Sequence, residues 1–447
     1  MFELLKSIVA FAVLVVAARY LLRIQASHAL KLLFALFFVR FVLAAFHSIT
    51  YVNIVGPLSI MSLASIASVG LCCLLLPVVK PSWWPKLVIS KSLFAIYCLI
   101  ALMVLSAVLN STLSATLPSL IKWLYLLQLV ALIAYALTLD GLKNTLKVLL
   151  LAYAFPLVML LLSIVLGVAK RAELDGSTSF IGGFFHEAVF STIVFTAAFF
   201  TLTYLNTFIA LKPVRKTLYF SLALVTFFVL MIFINYRTSI IAFILMSGAL
   251  IVFTVQAAKP LTKALFVICV CLSALWVATF DLGVDSERFA DLPNAYNNAS
   301  ELITYPENYS RDDRRLFSGR IYMWSAYISE ANEGSALQLF IGRGMGSWKE
   351  YFLKYAHNTF VSFYFELGLL GLSLCLLIFV ALYRMLNRIT DRNIRACSIA
   401  FLVGFLVLNM STMPMWSMEG LYCLAFLIAL GRQPTLESRQ GSLAMEV

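Results

Sequence analysis

The chain is built of long apolar runs of about twenty residues separated by short polar turns, the pattern of helices that cross roughly 30 Å of hydrocarbon. The runs fall at 5–23, 29–48, 57–79, 89–110, 117–139, 144–168, 187–211, 217–235, 238–257, 262–280, 359–383, 395–411 and 417–431. Inside a bilayer no water can satisfy a backbone N–H or C=O, so runs of this length predict helices that satisfy their own. The expected fold is an all-α polytopic membrane protein of about 13 spans. One long polar stretch interrupts the rhythm and divides the chain into an N-terminal transmembrane bundle (1–280), a long loop (281–356), C-terminal transmembrane helices (357–431) and a polar tail (432–447).

A structureless loop of that length is unusual unless it is functional. Its first part, Asp281 to Asp313, is polar, with Pro293, Asn297, Asn298, Pro306 and Asn308 marking turns. From Ser318 to Glu330 the apolar residues Ile321, Trp324, Tyr327 and Ile328 recur at helical spacing, and Gly334 is a natural stop. Ser347 followed three places later by Glu350 reads as a capping box opening a second short helix, with Trp348, Tyr351, Phe352 and Tyr355 on one face. Both stripes fit either packing against the bundle or lying along the membrane surface. In either case they form a lid.

Composition agrees with the spans, at 62% hydrophobic and only 12% charged residues. The net charge of +12 carries orientation information. Lys and Arg occupy every second short connection: Arg19, Arg23 and Lys31; Lys80, Lys86 and Lys91; Lys143 and Lys147; Lys212, Arg215 and Lys216; Lys259 and Lys263; Arg384, Arg388, Arg392 and Arg395. The turns near 49–56, 111–116 and 412–416 carry none. By the positive-inside rule the basic set is cytoplasmic, which puts 281–356 and the N-terminus outside and the tail inside. Charge placed this way argues against a nucleic-acid partner. All eight cysteines lie in apolar spans, where they are simply small core or lipid-facing residues. Residues 1–23 lack an A-x-A-type cleavage site, so the first span is expected to serve as its own signal.

Candidate chemistry gathers at the outer seam. His357 and Asn358 stand where the long loop re-enters the membrane, and an imidazole there can exchange a proton near neutral pH. Arg237 lies in the tight turn Asn235-Tyr236-Arg237-Thr238-Ser239, where a cation near hydrocarbon is costly unless paired or used; a snorkelling anchor is the plainer alternative. Arg320 follows Ser318-Gly319, and Arg343, Arg314 and Arg315 could stand in for it. An earlier outer turn holds Arg171, with Gly182 following and His186-Glu187 opening the next span as a local ion pair. Gly368 and Gly371 are expected to permit close helix contact. No His, Asp or Glu cluster has metal-ligand spacing.

Ser318-Gly319-Arg320 with Trp324, then Gly342-Arg343-Gly344-Met345-Gly346, then His357-Asn358 followed by Gly368-Leu369-Leu370-Gly371, together resemble the superfamily of O-antigen ligases and O-antigen polymerases across residues 235–372. The resemblance implies a GT-C-type membrane glycosyltransferase with a bundle of about 12–13 transmembrane helices and one large, partly helical periplasmic loop. It implies the bacterial cytoplasmic (inner) membrane, an active site facing the periplasm, and an undecaprenyl diphosphate-linked glycan as donor. The sugar would pass with inversion to a hydroxyl of a glycan or lipid A core acceptor, without metal or cofactor, alongside other polysaccharide-assembly proteins such as a chain-length regulator. On this likeness Arg237 and Arg320 bind the diphosphate, His357 is the general base, and Arg171, Arg343 and Asn358 make weaker substrate contacts. Leu372 stands where many ligases have glycine, threonine or tyrosine; with the Arg171 turn it tips the balance to a polymerase, whereas the single large outer segment favours a ligase. A flippase or other transporter is the alternative of another class, with Arg40 and Lys122 as its intramembrane charges.

Overall fold

The computed structural model describes residues 1–55, 58–79, 93–171, 178–255, 304–311 and 313–433. The span expected at 262–280, the loop up to residue 303, the turn cations Lys80, Lys86, Lys91, Lys259 and Lys263, and the tail from residue 434 lie outside the described residues.

The apolar runs are helices, as a bilayer requires. In chain order they are α1 (Phe2–Arg23), α2 (His28–Ala45), α3 (Ile60–Val79), α4 (Phe94–Leu109), α5 (Leu113–Val165), α6 (Glu187–Phe208), α7 (Pro213–Ile234) and α8 (Arg237–Val255). After the polar segment come α9 (Arg320–Asn332), α10 (Ala336–Ile341), the single turn α11 (Trp348–Tyr351), α12 (Thr359–Asn387), α13 (Arg392–Asn409) and α14 (Met418–Gly431). Among the described residues seven helices are long and apolar enough to cross a membrane, and four shorter apolar helices accompany them. The protein is an all-α, multi-pass membrane protein. Its only described strands are two small hairpins, β1 (Asn53–Val55) with β2 (Leu58–Ser59) and β3 (Lys170–Arg171) with β4 (Thr178–Ser179).

The 53-residue α5 is two spans in one. Gly141 (φ 72°, ψ 163°) breaks it, and the chain doubles back with no loop between the halves. The polar contacts sort the turns to two ends. At one end the Ser27 hydroxyl caps α2 through the Leu30 N–H and donates to Asp140, Tyr20 donates to Asn144, Lys147 sits over the rings of Tyr20 and Tyr204, and Asn393 donates to the Asn206 carbonyl. These are the basic turns. At the other end Lys6 donates to the Ala45 carbonyl, His47 to Gly183, Asn235 to Thr178, and Lys122 to Trp416.

Helices in lipid gain no hydrophobic drive from touching one another, so close packing and polar contacts must hold them. The centre of the bundle is aromatic: Phe37 stacks on Tyr422 at 4.0 Å, Phe41 meets Tyr153 at 4.8 Å, and Phe200 meets Phe426 at 4.7 Å. Pairs like these contribute about 0.5–1.5 kcal/mol each beyond their area. Arg40 of α2 is ion-paired with buried Glu419 of α14 at 2.7 Å and donates to Ser65 of α3.

Two local expectations change. Ser347 is not a cap: its backbone is already helical (φ −59°, ψ −23°), whereas a capping side chain needs an extended backbone to reach the amide at the third helical position. The capping box forms instead at Ser335, which accepts from the Gln338 N–H while Gln338 Oε1 accepts from the Ser335 N–H. Gly368 does more than permit close helix contact. It breaks α12 with φ 68°, and a Cβ there would overlap the backbone of Phe340 and Gly342.

That break is closed by the glycine-rich stretch. Carbonyls freed by the kink accept from the loop: Arg343 N–H to Phe365 O at 3.2 Å, and Gly344 N–H to Glu366 O at 2.9 Å. Gly342 (φ 75°) lies so close that a side chain there would overlap the Glu366 carbonyl. The loop is held on its other side by Asn110, which donates to Gly342 O, and by Thr116, which donates to Met345 O. Broken helices survive in membranes only where neighbouring groups satisfy the freed backbone. Two motifs far apart in sequence are thus one structural joint.

Candidate active site

Of the helices that begin at the end opposite the basic turns, α6, α8, α9 and α12 bring their N-termini together. Arg320, the first residue of α9, reaches the turn before α8: its Nη2 donates to the Tyr236 hydroxyl at 2.9 Å, and its Nη1 to Thr238 Oγ1 at 3.3 Å and to Ser411 Oγ. The guanidinium also lies over the Tyr236 ring. All three partners are neutral hydroxyls, and among the described residues no carboxylate lies within ion-pair distance of Arg320. Of its five N–H donors, Nε–H and one on Nη2 are uncommitted. Arg237, half-buried in the first turn of α8, stands between Tyr236 and Thr238, the two residues that hold Arg320 there. A cation in a helix's first turn faces the positive end of the macrodipole, an arrangement that an anion relieves.

His357 is positioned by its neighbours on both sides. Asn358 caps α12, its Oδ1 accepting from the Phe360 and Val361 N–H groups at 2.9 and 3.2 Å. Trp324 Nε1 donates to the Ala356 carbonyl at 2.9 Å, and Tyr327 donates to Lys354 O at 2.8 Å while stacking on Phe352 at 3.9 Å. The apolar stripe of α9 therefore packs against 352–357, and His357 takes the left-handed φ of 52° between two fixed points. Its ring lies 4.0 Å from that of Tyr355. Burial, then Arg320, then His186 and Lys354, push His357 down to about 3, so it is neutral at physiological pH and able to take a proton. Burial likewise pushes the Tyr355 phenol up to about 12.

His186 is the cap of α6, accepting the Ala188 N–H on Nδ1 at 3.1 Å. The principal partner of Glu187 is Lys170, at 3.2 Å, rather than the imidazole, whose Nδ1 lies 3.9 Å away. Burial holds His186 below the ordinary imidazole range, with Lys170 and Arg320 acting against the pull of Glu187.

Beside this cluster opens a cavity of about 420 Å³. Its aromatic wall is Tyr51, Phe184, Phe185, Trp348, Tyr355 and Trp416; its polar groups include Lys122, His186, Ser362 and Glu366. Tyr355 and His186 connect cavity and cluster, for each faces the one and lies close to the other.

Not every residue singled out in the sequence arrives here. Arg343 is ion-paired with Glu330 at 2.9 Å, donates to Tyr351 Oη and Glu330 O, and lies over the Tyr351 ring, which makes it a staple of the outer segment. Arg171 is exposed at the end of β3. Arg314 lies over the Tyr322 ring. Lys122 and Arg40, the charges a transporter would use, are tied to the Trp416 carbonyl and to Glu419. Unforeseen were the hydroxyl cradle of Arg320, the aromatic wall and Glu366. For Glu366 the signal is plain: a lone carboxyl seven residues into an apolar helix is a functional hypothesis by default.

The helix break, the glycine loop and the seam histidine all fall in the region that matches a known family. Residues 222–376 match the O-antigen ligase family model. The matched region runs from within α7 to the second half of α12, taking in Arg237, Arg320, His357 and the Gly342–Gly368 joint. It supports the O-antigen ligase and polymerase superfamily, whose members are membrane glycosyltransferases. No curated protein matches the chain. Outside the matched region, α6 supplies His186, α14 and the turn before it supply Trp416 and Glu419, and α2 supplies Arg40.

Proposed function

We propose that the protein is a GT-C-type glycosyltransferase that moves a glycan from undecaprenyl diphosphate to a sugar hydroxyl, with inversion, at the periplasmic face of the inner membrane. The observation that carries this reading is Arg320, a fixed guanidinium with neutral partners and two uncommitted donors, beside a neutral His357 at the rim of an aromatic cavity. A diphosphate fits that deficit of negative charge.

Arg237 and Arg320 hold the diphosphate with the converging helix N-termini. The acceptor hydroxyl attacks the anomeric carbon from the face opposite the leaving group as His357 takes its proton. A new C–O bond forms while the bond from the anomeric carbon to the phosphate oxygen breaks. The departing lipid diphosphate gains one negative charge, which the guanidinium groups stabilise more strongly than they do the bound donor. Asn358 serves this step through the cap that fixes His357, and Arg343 through the fold of the outer segment. Arg171, exposed on its hairpin, is left as a contact for a distal part of the glycan.

Of the two acceptor classes, growth of a repeat-unit polymer is preferred, on Leu372 and the Arg171 turn. The test uses purified protein in detergent with lipid diphosphate-linked oligosaccharide, first alone and then with lipid A core. Elongation in the first arm is polymerase activity, and transfer in the second is ligase activity. Failure of both, or full activity in His357→Ala, overturns the reading; general-base removal is expected to cost roughly 10²–10⁴-fold in rate.

A further inference from the structure

Glu366 is fully buried, and among the described residues its carboxyl oxygens close no full hydrogen bond, the backbone N–H of Gly346 being the donor turned toward them. A carboxyl so placed costs several kcal/mol unless something in the working protein satisfies it. Its backbone is fixed, because the carbonyls of Phe365 and Glu366 are held by the Arg343 and Gly344 amides at the Gly368 break. The unusual joint therefore sets the position of this one side chain. Glu366 lines the 420 Å³ cavity, with Ser362 one turn before it on the same helix. Across the cavity Lys122 spends one N–H on the Trp416 carbonyl, which leaves two more.

The rest of the wall indicates what would satisfy the carboxyl. Trp348, Trp416 and Tyr355 line the cavity, and aromatic rings pack against the C–H side of a pyranose ring. A few fixed polar groups then read its hydroxyls, the usual division of labour in a binding pocket. A carboxyl accepts from sugar hydroxyls, and in its protonated form also donates to one.

Resting on the glycosyl-transfer reading above, we propose that Glu366 is the acceptor-anchoring residue: its carboxyl accepts hydrogen bonds from hydroxyls of the acceptor sugar ring seated against Trp348 and Trp416, and so sets which glycan is extended. The acceptor, rather than the donor, takes this place because Tyr355 lines the cavity and its ring lies 4.0 Å from that of the proton-accepting His357.

The experiment compares wild type, Glu366→Gln and Glu366→Asp in steady-state transfer, varying acceptor and donor separately, with a melting temperature for each variant. Loss of a buried hydrogen bond of this kind predicts a rise of about tenfold in acceptor KM for Glu366→Gln. Donor KM is expected to be unchanged, the melting temperature unchanged or higher, and Glu366→Asp to recover part of the loss. An acceptor KM within about twofold of wild type, or an equal rise in donor KM, overturns the proposal. A second arm does not depend on transfer: Trp348 and Trp416 fluorescence titrated with methyl glycosides of neutral hexoses, deoxyhexoses and N-acetylhexosamines. A change in wild type that is lost in Glu366→Gln supports the sugar site even if no transfer occurs. No change in wild type overturns it.

Discussion

The acid limb of the transfer reaction should depend on whether donor is bound. In the free protein His357 is pushed down to about 3, chiefly by burial and then by Arg320. Relative to an ordinary imidazole near 6.5, this is a bias of roughly 5 kcal/mol against the protonated ring. A diphosphate diester brings two negative charges. At about 5 Å and an effective dielectric of about 20 they favour the imidazolium by roughly 6–7 kcal/mol, enough to cancel the bias. His357 must be unprotonated to act as base. The kcat/KM for donor, which reports the free protein, should therefore stay level from about pH 8 to about pH 5. The kcat, which reports the complex, should fall about tenfold per pH unit below about 6. Donor KM must fall in the same proportion, because in that window binding takes up a proton that the free protein lacks. The assay is initial-rate transfer in detergent across that range at saturating acceptor. A kcat level down to about pH 5, or a kcat/KM that falls with a midpoint near 6.5, would refute the coupling of ring to diphosphate. Arg320→Gln should move the kcat/KM limb upward, yet short of an ordinary imidazole, since burial is the larger cause and remains.

Three further outcomes follow from the geometry. Gly368→Ala should destabilise by about 3 kcal/mol or more, combining a left-handed backbone with overlap against a main chain that cannot step aside, and should lower the melting temperature in detergent. Asn358→Ala removes two amide contacts at the start of α12; it should cost about 1 kcal/mol of stability, with a loss of kcat as His357 loosens, and Asn358→Asp should restore the stability. Arg320→Lys keeps the charge but not the planar fork that spans Tyr236, Thr238 and Ser411, so donor KM should rise about tenfold or more in a titration of lipid-linked substrate.

Hydropathy made the spans legible, because length and apolarity are what a bilayer demands of a helix. The described helices fall on those runs, and even the turn between 139 and 144 had its glycine in view. What local pattern could not convey was main chain meeting main chain. Gly342 and Gly368 look like flexible or small-residue positions until each is found against the other's neighbours. Ser347 and Glu350 carried the letters of a cap, but the turn at Gly344–Ser347 had already wound the backbone. The site was legible in part: His357 and Arg320 stand close together, while Arg343 is held within the outer segment by Glu330. The hydroxyl cradle of Arg320 comes from residues 82 to 91 positions away in sequence, a distance no local motif spans. Glu366 went unread because the apolar letters around it describe a membrane helix, and the exception was absorbed into the rule.

The joint at the α12 break is made of amides and carbonyls alone, with glycines supplying the room. Side chains at positions 343, 345, 365 and 367 take no part in its hydrogen bonds. If Glu366 anchors the acceptor as proposed, the lining around it can change, and with it the sugar accepted, while the bend that positions residue 366 stays in place. Substrate choice and mechanical framework are separable in this architecture, and grafted cavity residues should carry their glycan preference with them.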